Sequence, residues 1–161
     1  MQRTRIHGRW RAEPHELLAM RRTLRGWLAD LGINGDVEHT LVTAANEAAT
    51  NAVEHAYRPR VTPFDGQTFE VALEVQTGWL CLEISDRGVW RVPSAVAEGR
   101  GLGIPLMHQL VGSVTIDTDD RGTRVVLRHP LGAVTTASSG AQAGGCRRGR
   151  SPSPRPAGRA R

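Results

Sequence analysis

Four groups of residues in this 161-residue chain carry side chains able to do chemistry. The first is Glu47-Ala48-Ala49-Thr50-Asn51-Ala52-Val53-Glu54-His55-Ala56-Tyr57, where a carboxylate, a carboxamide and an imidazole recur at four-residue spacing in an alanine-rich run. Residues four apart share one face of a helix, so Glu47, Asn51 and His55 predict a polar ridge beside the small side chains of Ala48 and Ala52. A carboxylate so placed can accept a proton, and a carboxamide oxygen can ligate a hard cation. The second group, Asp86-Arg87-Gly88, follows a strand-like run. The third, Gly99-Arg100-Gly101-Leu102-Gly103-Ile104, is a glycine-rich turn leading into a helix, and the fourth, Gly122-Thr123, precedes the last strand. Glycine-rich turns at helix N-termini bind phosphate because backbone N–H groups and the helix dipole both point outward there. Taken singly, a Gly-x-Gly-x-Gly run is usually a loop, a strand-terminal Asp-x-Gly usually a turn, and a Glu/Asn pair on a helix usually a solvated face. Their joint occurrence in this order is compatible with one nucleotide site.

The elements that must position these groups follow from periodicity. Arg3 to Arg11 predicts a short strand carrying Ile6 and Trp10. Pro14 opens a stretch in which Leu17, Leu18, Leu24, Trp27, Leu28 and Leu31 recur at helical spacing, with Gly32 as a fitting stop. Asp36 can cap the next helix, which carries the Glu47 motif and ends before Pro59. Phe69, Val71, Leu73 and Val75 alternate with Glu70, Ala72, Glu74 and Gln76, the pattern of a half-buried strand, and Thr77-Gly78 turns the chain into a second strand from Trp79 to Ser85. A short helix from about Ile104 to Val111 is followed by strands over Ser113–Thr118 and Thr123–Arg128, joined by Asp119-Asp120-Arg121-Gly122. This order predicts an α+β protein, a two-layer α/β sandwich with a mostly antiparallel, mixed sheet covered on one face by helices.

Composition sets the outer limits. The formal charge is +5, yet six of the 21 basic residues, all of them Arg, lie after Leu131, which leaves 15 against 16 acids and a net charge of −1 for the rest. Basicity therefore belongs to the tail, and no specific nucleic-acid role follows from it. Residues 132–161 are rich in Ala, Gly, Ser, Pro and Arg without apolar periodicity, and the expected division is an ordered domain over 1–131 and a disordered tail over 132–161. Cys81 and Cys146 form no metal pattern and no expected disulfide, and Cys81 reads as a small buried hydrophobe. No apolar run reaches the roughly 18 residues of a membrane span, and residues 1–7 lack an apolar signal core, so the expected location is cytoplasmic.

Three nucleotide-binding classes drop out on chemical grounds. A P-loop needs a Lys at the β- and γ-phosphates, and this chain contains none. A dinucleotide fingerprint sits after the first strand of a βαβ unit, whereas these glycines lie near residue 100. A eukaryotic-type kinase would need its strand Lys and a His-Arg-Asp loop. Phosphate is left to backbone amides, to Arg100 and to a divalent ion held by oxygen ligands.

The series Glu47-x-x-x-Asn51-Ala-x-x-His55-Ala-Tyr57, Asp86-x-Gly88, Gly99-x-Gly101-Leu-Gly103 and Gly122-Thr123 resembles the GHKL (Bergerat-fold) ATPase superfamily of histidine kinase-like ATPase domains. Within it the chain is similar to the bacterial anti-sigma-factor serine/threonine kinases, over roughly Ile6 to Leu131. The resemblance implies ATP and Mg²⁺ as cofactors. It implies Asn51 as the Mg²⁺ ligand bridging the ATP phosphates and Glu47 as general base for a serine hydroxyl. Asp86 would accept from the adenine amino group, Gly88 and Thr123 would line the base pocket, and Gly101, Leu102 and Gly103, with Arg100 nearby, would hold the phosphates. His55 either orients its neighbours or packs against the loop that follows. The superfamily often has glycine where this chain has Trp90, a ring that either narrows the nucleotide pocket or packs on the domain as part of its lid.

The implied function is an anti-sigma factor that binds a sigma factor and phosphorylates a serine of a small anti-anti-sigma (STAS-like) partner. Family members commonly dimerise, so a homodimer is within what the resemblance implies. The alternative is a non-catalytic ATP-gated module that sequesters a partner, which would not need Glu47. A sensor histidine kinase would require a dimerising hairpin bearing a phospho-acceptor His, for which residues 1–14 leave no room.

Overall fold

The computed structural model describes residues 5–57, 66–88 and 102–131. The chain begins with strand β1 (Arg5–Arg11), followed by helices α1 (Glu16–Asp30) and α2 (Gly35–Asn51), the latter running into a π-helical turn over Ala52–Ala56. Strands β2 (Thr68–Gln76) and β3 (Trp79–Asp86), helix α3 (Gly103–Leu110) and strands β4 (Ser113–Asp119) and β5 (Gly122–Pro130) complete it. The five strands lie in the order β1-β2-β3-β5-β4.

Among the described residues every ladder is antiparallel, in keeping with the expected α+β sandwich. Two tight connections account for much of this. Gly78 (φ 76°) turns β2 into β3, and Gly122 (φ 139°) starts β5 directly after β4, each in a backbone region that side chains disfavour. Gly32 (φ 73°) stops α1 as expected from its type.

Alternation decides which face of the sheet is covered. Phe69, Val71 and Leu73 of β2 sit in register with Asp86, Ile84 and Leu82 of β3, and Leu82 and Ile84 with Leu127 and Val125 of β5. These apolar residues are buried together with Met20, Leu24 and Leu28 of α1, with Leu41, Ala44, Ala45, Ala48 and Ala49 of α2, and with Met107 of α3. The alanines let α2 lie close to the sheet, so its next polar positions are held at the rim of the core rather than lifted from it. Trp10 of β1 stacks on Phe69 (centroids 5.9 Å apart) and tilts against Trp27 (6.1 Å), closing the β1 end of the core.

The opposite sheet face is polar. Arg9 donates to Glu70 at 2.7 Å and Arg124 to Glu83 at 2.8 Å, which holds the Glu83 carboxyl below the usual carboxylate range. Such exposed pairs contribute about 0–1 kcal/mol each. Cys81 is buried on this face, in agreement with its reading as a small hydrophobe, while Cys146 lies outside the described residues. Among the described residues no helix is long and apolar enough to cross a membrane.

One helix start differs from expectation. Asn34, with extended backbone (φ −137°, ψ 175°), is the residue flanking α2, and Asp36 lies within the first turn. There Asp36 faces the positive end of the helix dipole as a charge and does not act as a side-chain cap.

Candidate functional site

Glu47 and Asn51 occupy the last turn of α2, half-buried, with Ala48 and Ala49 pinning the helix to the sheet between them. The first residue of α3, Gly103, lies over this pair. A Cβ built on Gly103 would stand 3.0 Å from Glu47 Oε2 and 3.9 Å from both terminal amide atoms of Asn51. A side chain at this position would make the tip of Glu47 give way. Asn51 Nδ2 is buried there and has no hydrogen-bond partner among the described residues.

The five residues after Asn51, His55 among them, form a π-helical turn, and His55 Nε2 lies 3.8 Å from Glu54 Oε2.

The second cluster stands where β3 and β5 come together. Asp86 is the last residue of β3, in register with Thr123 of β5. Its carboxylate accepts a hydrogen bond from the Gly88 N–H at 2.9 Å and another from the Thr123 backbone. Burial nevertheless outweighs these bonds and pushes the carboxyl up to about 6. Thr123 Oγ1 is buried beside it without a partner among the described residues. A cavity of about 590 Å³ borders Asp86, Gly122 and Thr123 and extends along Ile116–Asp119 of β4.

Two glycines make this cluster possible. A Cβ on Gly88 would overlap the carbonyl of Ala56 and come within 2.7 Å of the Ala56 Cβ, and a Cβ on Gly122 would overlap the carbonyl oxygen of Asp86. Gly88 therefore seats the end of β3 directly on the π-helical turn, whose other end is Asn51. That turn is the mechanical link between the Glu47/Asn51 pair and the Asp86/Thr123 pair.

Leu102 flanks α3 on its N-terminal side and is 74% exposed. Arg100, Gly101, Gly99 and Trp90 lie outside the described residues, as does the tail over 132–161. Tyr57 closes the motif as a residue whose role its spacing does not announce. Its hydroxyl bonds to the backbone of both Thr68 and Arg87, and the signal was a lone aromatic closing a polar helical run. Among the described residues no three His, Cys, Asp or Glu converge on a metal position.

Comparison with known proteins bears on the same residues. The family model of the histidine kinase-like ATPase domain matches residues 10–129. The structure of the RsbU and RsbW domains of Rv1364c from Mycobacterium tuberculosis aligns at 27% identity and a TM-score of 0.63, over 80% of this chain and 32% of that one. This chain thus spans about a third of the length of that protein. The SiaB–SiaC complex from Pseudomonas aeruginosa shares the fold, with a TM-score of 0.55 at 12% identity, over 78% of this chain and 88% of that one. The family match takes in Glu47, Asn51, Asp86, Gly88, Gly103 and Thr123 alike, and the antiparallel sheet under a helical layer is the architecture expected of that superfamily. The chain belongs to the histidine kinase-like ATPase domain family.

Proposed function

We propose that this protein is an ATP-binding anti-sigma factor that phosphorylates a serine of a small anti-anti-sigma partner. The observation that carries the reading is the pair Glu47 and Asn51, one helical turn apart beneath the backbone of Gly103. A domain that only needed to bind nucleotide would require the carboxamide and the glycine, with no call for a carboxylate one turn before them. The ordered unit is taken as 1–131 and the basic segment 132–161 as a tail outside the chemistry.

The donor set fits Mg·ATP. Asn51 and Thr123 each bury a polar atom with no partner among the described residues, and Gly103 leaves open the space above Glu47 and Asn51 that a Cβ would fill. When bound, Mg·ATP supplies the γ-phosphoryl group with its charge partly neutralised. Asn51 would hold the ion through its carboxamide oxygen, and the backbone at Leu102–Gly103, at the N-terminal end of α3, would face the phosphates. Asp86 accepts the hydrogen bond of an exocyclic amino group, while the Thr123 hydroxyl bonds the same edge of the base. Glu47 takes the proton of the attacking serine hydroxyl at one of its carboxylate oxygens.

Calorimetry tests the reading. Mg-dependent ATP binding is expected for the wild type, and Asn51→Ala should weaken it by about tenfold or more, on the scale of one lost charge-assisted contact. A wild type that does not bind ATP would sink the proposal.

Asp86 adds a pH dependence with a defined sign. Its carboxyl is raised from 3.8 to about 6, so the proton is held more tightly in the folded chain, and the ionised form that accepts from adenine dominates only above pH 6. ATP affinity is expected to be flat above about pH 7 and to weaken below 6, by up to about tenfold per pH unit. The nucleotide's terminal phosphate also titrates near 6, so Asp86→Asn is the control. The variant should keep only the phosphate's share of the pH profile, and an unchanged profile would remove Asp86 from base recognition.

A further inference from the structure

The hydroxyl of Tyr57 is the junction of three backbone segments. It donates to the Thr68 carbonyl at 2.6 Å and accepts from the Thr68 N–H at 3.3 Å and the Arg87 N–H at 3.2 Å. Thr68 opens β2, Arg87 follows the last residue of β3, and Tyr57 itself ends the π-helical turn. The neighbouring pair Phe69 and Asp86 are in register across β2 and β3, so the phenol closes this end of the ladder. Burial pushes the phenol's proton affinity up, so it remains a donor at neutral pH.

The position of Arg87 gives this junction a consequence. Asp86 is oriented by the Gly88 N–H, two residues on, and the residue between them is the one tied to Tyr57. Gly88 cannot shift toward the helical layer, because the Ala56 backbone already fills that space. The turn 86–88 is thus held by packing against Ala56 and Gly122 and by the phenolic oxygen of Tyr57 on the Arg87 N–H.

We propose that Tyr57 is a positioning residue for base recognition, its hydroxyl fixing the Asp86–Gly88 turn so that the Asp86 carboxylate meets the amino group of adenine. This rests on the reading of Asp86 as the adenine acceptor. Tyr57→Phe keeps the ring and removes only the hydroxyl, so filling of space and orientation of the turn become separable.

The experiment is calorimetric binding of ATP, GTP and inorganic tripolyphosphate to the wild type, Y57F, D86N and the double variant. Y57F is expected to weaken ATP about tenfold while tripolyphosphate stays within about twofold, shrinking the preference for ATP over GTP. In the D86N background Y57F should have no further effect on ATP, because the two act as one unit. Equal losses for all three ligands, or effects of Y57F and D86N that simply add, would overturn the proposal in favour of a structural role. Wild type that fails to bind ATP removes the Asp86 reading itself, whereas wild-type binding with an unaffected Y57F removes only the role of Tyr57. Should Y57F fail to fold, amide exchange on the wild type decides. The Arg87 N–H should be protected in the free protein and more so with ATP, and exchange at the rate of an open turn in both states would overturn the proposal.

Discussion

Replacing Glu47 by alanine should leave ATP bound with near wild-type affinity and reduce phosphotransfer to the partner serine by about 10²–10⁴-fold, the usual worth of a general base. Glu47 lies on α2 a full turn before Asn51, so its loss leaves the carboxamide and the Gly103 backbone in place. The helix itself should tolerate the change, since alanine is the best helix former and the neighbouring Ala48 and Ala49 already carry the packing. Glu47→Gln is the sharper companion. It keeps the shape that lies 3.0 Å from the Gly103 Cβ position and removes only the basicity. Phosphotransfer measured with labelled ATP should fall as far in the glutamine variant as in the alanine variant. An active Glu47→Gln would show that the side chain acts as a spacer beneath Gly103 and not as the base, whereas a wild type that binds ATP without phosphotransfer would make the chain a nucleotide-gated binding module.

Gly88→Ala is expected to damage both stability and binding. The added methyl group would fall on the carbonyl of Ala56, and its neighbours there are backbone atoms that cannot rotate away. Relief requires separating the end of β3 from the π-helical turn, which costs about 1–3 kcal/mol for overpacking of this kind, with larger values where backbone must move. That corresponds to a fall in Tm of several degrees, about 3–10 °C for a domain of this size. The same displacement carries the Gly88 N–H away from Asp86, so ATP affinity should drop by about tenfold or more through loss of the oriented acceptor. Gly103→Ala provides the contrast. Its nearest obstacle is the tip of the Glu47 side chain, a group that can swing aside, so the fold should hold while the phosphate end of the site suffers. Thermal unfolding and calorimetry on the two variants check this, and a Gly88→Ala protein with unchanged Tm and unchanged ATP affinity would refute the close approach as a constraint.

The residues with fixed local rules were legible before any coordinates. Alternation from Phe69 to Gln76, the Thr77-Gly78 turn and the helical spacing of Leu24, Leu28 and Leu31 each follow from the period of one backbone conformation, and β2, β3 and α1 stand where these rules put them. The Glu47/Asn51 pair was legible for the same reason, since an i, i+4 relation in a helix requires no knowledge of the rest of the chain. Periodicity did not show the change to π winding after Asn51, where Gly88, far away in sequence, packs on Ala56.

By itself, then, the sequence determined the types and local spacing of the groups able to do chemistry, the layers that carry them and the absence of a phosphate-binding lysine. Tertiary structure decided what those groups meet. It laid Gly103 on Glu47 and Asn51, paired Asp86 with Thr123 across β3 and β5, and made Tyr57 the tie between two strands. It also set the proton affinity of Asp86, because desolvation depends on which atoms cover a carboxyl, and those atoms come from segments that local periodicity cannot bring together.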